Sequence, residues 1–333
     1  MNQATPFFSV IIPVRDGGSV FVQALAALTK STFAAWELIV VDDNSADSSS
    51  SLARQHGATV LSSPGAGPAH ARNLGAQHAS GHFLFFLDAD CEVYPHTLQQ
   101  AADHLKATPD LDALFGSYDD APAAQNLISQ YKNLQHHYVH QTSNPEAQTF
   151  WTGCGCVRRD LFVALGGFDA ARYSTPAIED IEFGYRLKAR GGRIRLEKTV
   201  QVKHLKRWTL RSWISADIFA RAVPWTQLLL DRPMISADLN LQWHQRLSGA
   251  VATLLLPTLV LPQTRRWSIG LVSLLLHLNA SFYRFLWRKR GLRFLIRILP
   301  LHWLYYVYST ITFGAMLIKH KVHNMLSKQL DTQ

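Results

Sequence analysis

The chain has 333 residues, enough for one large catalytic domain with an appendage or for two ordinary domains. Its bulk composition, 47% hydrophobic and 17% charged, looks like that of a soluble enzyme, yet it averages two unlike parts: a mixed stretch of roughly 230 residues and an apolar last hundred. A net charge of +9 suits nucleic acid, an anionic membrane or an anionic substrate, but Arg284, Arg288, Lys289, Arg290, Arg293 and Arg297 interrupt very apolar sequence, which matches phospholipid headgroups and argues against a nucleic-acid partner.

The opening residues "MNQATPFFSVIIPV" lack the basic start of a signal peptide and run straight into a strand pattern. "FFSVIIPV" and the middle of "WELIVVDDNS" are short apolar runs, each followed by helix-compatible sequence; runs without alternation imply strands covered on both faces. A third strand is expected at residues 58–61 and a fourth at "HFLFFLDAD", with the Gly- and Pro-rich "SSPGAGPAHARN" a loop feeding a helix near Ala69. Beyond Asp90 the pattern predicts a helix near 95–107, a strand near 112–117, a helix near 124–140 and a strand at "FWTGCGCV". "RRDLFVALGGFD" predicts a short helix closed by glycine, and "IEDIEFGYRLKARGG" a longer one stopped by Gly191 and Gly192. Alternating strands and helices define an α/β fold with a mostly parallel twisted sheet flanked by helices. Cys91, Cys154 and Cys156 are too few for a thiolate zinc site and suit small buried hydrophobes in a reducing compartment.

After residue 246 the composition changes. Residues 247–264, 267–283 and 298–318 carry no charge, each close to the roughly 20 residues a helix needs to cross a bilayer. Pro257, Pro262, His277 and Asn279 weaken the first two, so a hairpin of two short helices and a longer third element is expected. The alternative is a buried helical domain of a soluble protein. The cations from 284 to 297 belong on the cytoplasmic side, which sets Lys319, Lys321 and Lys328 against the same rule if a third helix crosses; a re-entrant or interfacial element kinked at Pro300 avoids that conflict.

The strongest chemical signal is "FLFFLDAD", an apolar strand stopping on two carboxylates. Asp88 and Asp90, at i and i+2, leave one face of an extended chain, and a divalent cation would relieve their repulsion while binding a diphosphate. "IVVDDNS" places Asp42 and Asp43 at another strand end, ready to accept hydrogen bonds from a base or ribose; helix capping by Asp43, Asn44 or Ser45 is the structural alternative, and the two roles are compatible.

In order and spacing these pieces resemble the family 2 glycosyltransferases: Pro13 with Val14, then Asp42, Asp43 and Ser45, then Arg72 in "ARNLGAQHASGHFLFFLDAD", then Asp88 and Asp90. The resemblance covers residues 7–230. It implies a GT-A fold over residues 1–230, with a nucleotide-binding half 1–117 and an acceptor half 118–230. The hydrophobic helical region 231–333 then stands as a membrane-associated appendage. It implies that Asp42 or Asp43 contacts base and ribose, that Arg72 helps hold the nucleotide, and that Asp90 ligates the metal while Asp88 faces the ribose or shares the metal. Arg15 and Asp16 stand where many relatives carry Asn after an aromatic, which leaves the first-strand contact open.

Glu179 and Asp180 open a helix, where acidic residues ordinarily complement its dipole. The resemblance implies that this pair supplies the general base, with Asp180 the matching residue. His204, in "KHLKRW", offers an imidazole as a third ligand for a manganese-like ion. The same segment resembles the QxxRW motif of processive members, with Arg207 and Trp208 matching and His204 standing where glutamine would be, a departure that argues against polymerase activity. Arg207 would neutralise phosphate and Trp208 stack on a sugar or base. In "FWTGCGCVRRD", Gly153 and Gly155 would let a substrate approach the backbone, while Trp151 offers an apolar face to a sugar ring or simply packs in the core.

The expectation is therefore an inverting transfer from a nucleoside diphosphate sugar, with a UDP-sugar as donor, to a lipid or lipid-linked acceptor, assisted by Mn2+ or Mg2+. The enzyme would sit at the inner, cytoplasmic membrane, catalytic domain facing the cytoplasm. A non-catalytic membrane scaffold of the same fold and a sugar-phosphate nucleotidyltransferase are the alternatives. A phosphatase with a nucleophilic aspartate is disfavoured because Cys91 and Glu92 follow the DxD.

Overall fold

The computed structural model describes residues 5–231 and 242–330, with side chains through residue 325, so residues 1–4, part of the opening segment, and Lys328's side chain lie outside it. The described chain divides into two compact units, Met1–Trp208 and Thr209–Gln333. The first opens as the patterning predicts: β1 (Phe8–Val14), α1 (Gly18–Leu28), β2 (Trp36–Asp42), α2 (Ser49–Gln55), β3 (Thr59–Ser62), α3 (Pro68–His78) and β4 (Phe83–Leu87). Every residue of β4 is buried, which is why its sequence shows no alternation. There follow β5 (Cys91–Val93), α4 (Thr97–Ala107), β6 (Ala113–Tyr118), α5 (Leu127–Thr142), β7 (Cys154–Arg158), α6 (Arg159–Ala164), α7 (Glu179–Ala189) and β8 (Ile194–His204).

The eight strands form one sheet in the order β3-β2-β1-β4-β7-β6-β8-β5. Only the first half is the expected parallel array, with β3, β2, β1 and β4 running together. Between β4 and β6 the chain inserts β7 antiparallel, and β5 pairs antiparallel with β8, so the sheet is mixed. Each parallel strand ends at the same edge, where β1 finishes at Val14 opposite Asp42 and β2 at Asp42 opposite Ser62. That shared carboxyl edge collects the acidic loops. Below it Phe8, Val10, Ile12, Phe21, Leu25, Val40, Phe85 and Cys156 form a dry core against α1 and α4. All three cysteines are buried and unpaired, as small apolar fillers.

The second unit starts at Thr209, whose hydroxyl accepts from the Ser212 amide in a capping box. It holds α8 (Leu210–Ser215), a π-helical stretch (Ala216–Ala222), α9 (Val223–Asp231), α10 (Trp243–Val260), a 3-10 turn (Pro262–Trp267), α11 (Ser268–Leu278), α12 (Ala280–Arg290) and α13 (Leu292–Leu330). Of the three charge-free spans expected to be helical, residues 247–264 fall mostly on α10, 267–283 on α11 and the start of α12, and 298–318 within the long α13. Buried polar groups pair internally: Asp217 accepts from Trp213 Nε1 at 2.8 Å, the Tyr308 hydroxyl at 2.8 Å and Arg221 at 3.0 Å. Asn279 accepts from the Tyr306 hydroxyl at 2.7 Å and donates to Ser248 at 3.0 Å. Among the described residues no single helix is long and apolar enough to cross a membrane; one pair, Pro262–Leu278 with Ala280–Arg290, qualifies by length and composition but bends by 69°.

Candidate active site

Three loops meet at the carboxyl edge of the parallel strands. After β1 the chain turns through Asp16, held at φ 50°, whose carboxylate accepts from the Ala46 amide at 2.7 Å and whose amide donates to Ser45 Oγ at 3.0 Å. Pro13, half-buried, belongs to β1 itself, and Arg15 is exposed beside it with its guanidinium reaching toward Gly65. Asp42 accepts from the Ser45 amide at 2.9 Å and from the Ser50 hydroxyl. Burial alone would raise its pKa, but these bonds outweigh it and hold the carboxyl below its ordinary range. Asp43 is buried and accepts three bonds, from Ser63 Oγ at 2.5 Å, the Ala66 amide at 3.0 Å and the Gly67 amide at 2.9 Å. Asp42 and Asp43 thus shape the loops around the edge and cap no helix, since neither α2 nor α3 has a side-chain cap bond, and Asp43 fixes the entry to α3.

Gly67 is required at that entry. Its φ is +91°, and a Cβ there would lie 2.2 Å from the Ser174 carbonyl oxygen, so the loop leading to α7 rests directly on the glycine. One turn into α3, Arg72 is buried and its guanidinium bridges two carboxylates, Asp88 at 2.6 Å and Glu179 at 2.7 Å. Burial lowers an arginine's pKa, but Asp88, Glu179 and Asp180 together raise it, so the charge is secure. The residue expected to hold the nucleotide is thus committed to joining the DxD segment to the acidic pair.

Asp88 and Asp90 do not lie in an extended strand. They flank a tight turn between β4 and β5, closed by the Cys91 amide donating to the Asp88 carbonyl at 3.0 Å, and the turn rather than a strand face brings them together. The ligand atoms of Asp88, Asp90 and Cys91 lie within 4.8 Å of one another. Burial, then Asp90 and Asp88, push the Cys91 thiol well up, which keeps it protonated and unsuited to a hard cation. His204, the last residue of β8, is paired with Cys91 across the sheet and puts Nε2 at 3.7 Å from Asp90 Oδ2, its ring stacked on Tyr118 at 4.1 Å. Burial raises the Asp90 carboxyl, but His204 and Lys206 more than compensate and lower it. Two carboxylates with an imidazole beside them are a donor set that fits Mn2+ or Mg2+.

On the other side of Arg72, the two acidic residues of α7 differ sharply. Glu179 is buried with both oxygens engaged, one by Arg72 and one by the Ala177 amide at 3.1 Å. Asp180 keeps a window to solvent, although protein crowds its carboxylate. Its Oδ2 accepts from the Thr152 amide at 3.1 Å and Thr152 Oγ1 at 3.2 Å, and its Oδ1 from the Ile181 amide at 2.8 Å. Burial first and the Glu179 charge second push its pKa up to about 7, against the lowering effect of Thr152 and Arg72. The Gly153 carbonyl, next to Thr152, accepts from the Asp88 amide at 3.5 Å, so both carboxylate groups share one wall.

Around this wall the expected acceptor residues take other tasks. The space beside Gly153 holds no substrate: a Cβ there would lie 2.2 Å from the Trp151 ring. Beside Gly155 the Trp151 carbonyl oxygen stands equally close. Trp151 is half-buried and packs edge-on against Tyr118 at 4.9 Å and against His136 at 4.8 Å, which is the core role. Arg207 is exposed, whereas Trp208 is buried with Lys206 Nζ 4.6 Å from its ring centre, so a lysine covers the face expected to stack on a ligand. Thr152, Lys206 and Tyr118 escaped the sequence reading. Thr152 and Lys206 sit inside "FWTGCGC" and "KHLKRW", segments singled out for their neighbours, and only Tyr118 had no signal beyond ending a strand.

Comparison with known proteins bears on this arrangement. Residues 9–166 match the family model described as "Glycosyl transferase family 2". That segment, a little under half of the chain, is similar to the family 2 glycosyltransferases. A glycosyltransferase of Escherichia coli K12, YibD, itself uncharacterised, is 34% identical to this one over 117 residues, 34% of each chain. Among solved structures, a mannosyltransferase from Pyrobaculum calidifontis in complex with GDP-Man and Mn2+ superposes with a TM-score of 0.55 at 18% identity, covering 98% of this chain and 89% of its own. Residues 1–349 of TarS from S. aureus with UDP-GlcNAc give 0.54 at 18% identity, covering 95% and 92%. These likenesses establish the glycosyltransferase fold as GT-A: a mixed eight-stranded sheet flanked by helices, with a helical region after it. The chain spans 34%, 48% and 45% of the length of the first three curated relatives it matches.

Proposed function

We propose that this chain transfers a single sugar from a nucleoside diphosphate sugar, with UDP as the nucleotide, to a lipid-linked acceptor presented at the cytoplasmic face of the inner membrane. The observation that carries this reading is the Asp180 carboxylate. It is the one member of the Asp88, Arg72, Glu179 and Asp180 group that is not locked in an ion pair, and its pKa of about 7 suits a group that must accept a proton near neutrality. Asp180 takes the acceptor hydroxyl proton while that oxygen attacks the anomeric carbon opposite the leaving diphosphate, and one displacement inverts configuration. Thr152 aims the carboxylate by holding Oδ2. Glu179 raises its basicity by repulsion and holds Arg72 in place.

Asp90 and Asp88, with His204 alongside, would hold a divalent cation, Mn2+ or Mg2+, whose contribution is to neutralise charge developing on the leaving diphosphate. The loops built on Asp16, Asp42 and Asp43 frame the base and ribose. Their side chains shape that frame, and backbone groups and Arg15 face the opening. The neighbours solved with GDP-Man and with UDP-GlcNAc support a nucleotide-sugar donor.

Purified protein is tested against a panel of nucleotide sugars by thermal shift, with and without Mn2+, and then for transfer. Stabilisation by one donor, with Asp180→Asn binding it nearly as well but transferring about 10²–10⁴-fold more slowly, is the expected result. Stabilisation by none would leave a non-catalytic scaffold, and release of pyrophosphate from a nucleoside triphosphate and a sugar phosphate would indicate a nucleotidyltransferase.

A further inference from the structure

Charge and exposed apolar surface are concentrated in the same part of the chain. Residues 242–330 contain twelve of its 33 Lys and Arg and none of its 24 Asp and Glu, which leaves 21 cations against 24 carboxylates elsewhere. The excess positive charge is therefore a property of the helical unit alone. Among the described residues, every exposed large hydrophobic side chain except Tyr94 and Val163 also lies beyond Trp208. The densest run is the end of α10 through α11: Leu259, Val260, Leu261, Trp267, Ile269, Val272, Leu274 and Leu276 are exposed, and Ile269 reaches 79%. Within α11 only Leu275 is buried.

The geometry of α11 decides how such a face can meet lipid. Eleven residues at about 1.5 Å each make a rod of about 16 Å, roughly half the ~30 Å hydrocarbon core. Interface markers stand on both sides of it in the chain. Arg265, Arg266 and the exposed Trp267 precede it, and after the 69° bend α12 carries the exposed Arg284, Trp287 and Arg288. Cations and tryptophans flank this stretch on both sides, and with α12 turned 69° from α11 the marked positions stay closer together than the ~30 Å hydrocarbon core, which places them at the same layer. We propose that the helical unit binds anionic phospholipid from one side only. In this arrangement α11 lies in the plane of a single leaflet, and the cations of α12 and the start of α13 sit on lipid phosphates. The proposal rests on the membrane placement given above and not on the transfer chemistry.

The full chain is tested by flotation with phosphatidylcholine vesicles and with vesicles containing phosphatidylglycerol. Binding should be confined to the anionic vesicles and should weaken with salt. Removing Arg284, Arg288 and Arg293 together (to Gln) should weaken it about a hundredfold, at about fivefold per cation. Ile269→Glu should weaken it as well. Single cysteines introduced by Arg266→Cys, just before α11, and by Arg288→Cys, near the end of α12, should both react with an impermeant maleimide added outside sealed vesicles, and they alone should react because the native cysteines are buried. Protection of one of the two means that the segment crosses, which overturns the in-plane arrangement while leaving a membrane enzyme. Equal binding to both vesicle types overturns the anionic-lipid assignment. No binding to either, with concentration-dependent dimers in solution, assigns the apolar face to a second copy and removes the membrane placement too. Hydrolysis of the nucleotide sugar, measured alongside, reports separately on the transfer reading.

Discussion

Replacing Asp180 by asparagine tests whether the carboxylate carries both the chemistry and a stored electrostatic cost. Its pKa rises from an ordinary 3.8 to about 7, chiefly through burial and then through Glu179. A carboxyl raised in this way binds its proton more tightly folded than unfolded. The folded state is therefore favoured most below the unfolded pKa and loses that advantage as pH rises through about 7. Three units at about 1.4 kcal/mol each set an upper bound of about 4 kcal/mol, reduced because the side chain keeps a solvent window that screens its charge. The Asp180→Asn protein cannot ionise there, so it lacks this slope. It gives up one of the bonds from Thr152 or Ile181, a constant loss of about 1 kcal/mol at every pH. Between about pH 5 and about pH 8 roughly two of those three units are lost, so urea denaturation of both proteins should show the variant gaining about 1–2.5 kcal/mol relative to the parent. Turnover should fall by about 10²–10⁴-fold with donor affinity nearly unchanged. A difference in stability that stays flat with pH, or a variant that turns over at the parental rate, would refute the reasoning.

Other outcomes follow from the same geometry. The parent's transfer rate should decline as pH falls through about 7, because Asp180 then holds its proton; a rate unchanged down to about pH 5 contradicts the assignment. Arg72→Ala leaves Asp88 and Glu179 without their shared cation and should cost about 3–5 kcal/mol in chemical denaturation. Gly67→Ala puts a methyl against the Ser174 carbonyl at a positive φ, so stability should drop by more than about 1 kcal/mol and nucleotide affinity with it, read by calorimetry. Asp90→Asn should weaken Mn2+ binding, followed by electron paramagnetic resonance, about 10–100-fold, while Cys91→Ala leaves it unchanged.

The parallel half of the fold was legible because it is written locally: β4 is an unbroken apolar run, β1 and β2 are apolar apart from Ser9, Glu37 and the closing Asp42, and α3, α6 and α7 have clear start or stop residues. What escaped is non-local. β5 has three residues and exists only because it pairs with Lys203 and its neighbours more than a hundred residues later, and nothing in "FWTGCGCV" announces that β7 runs antiparallel between β4 and β6. The site divided in the same way. The carboxylates themselves were conspicuous at strand ends, but what each one touches depends on loops arriving from elsewhere. Asp43 is spent on the Gly67 loop and Arg72 on an internal bridge, and the cavity anticipated at Gly153 is filled by Trp151. Residue type and spacing identified the participants; folding decided which of them remain available to a substrate.

The bridge through Arg72 also limits how this protein can be re-engineered. Specificity for donor and for acceptor is often treated as modular, with one half of a transferase grafted onto another. Here the guanidinium belongs to the front half of the sequence and one of its two counter-ions to the back half, so a graft made after residue 117 that brings no glutamate at position 179 would strand a buried cation beside Asp88. Chimeras should therefore be chosen for that one residue before any residue of the acceptor pocket.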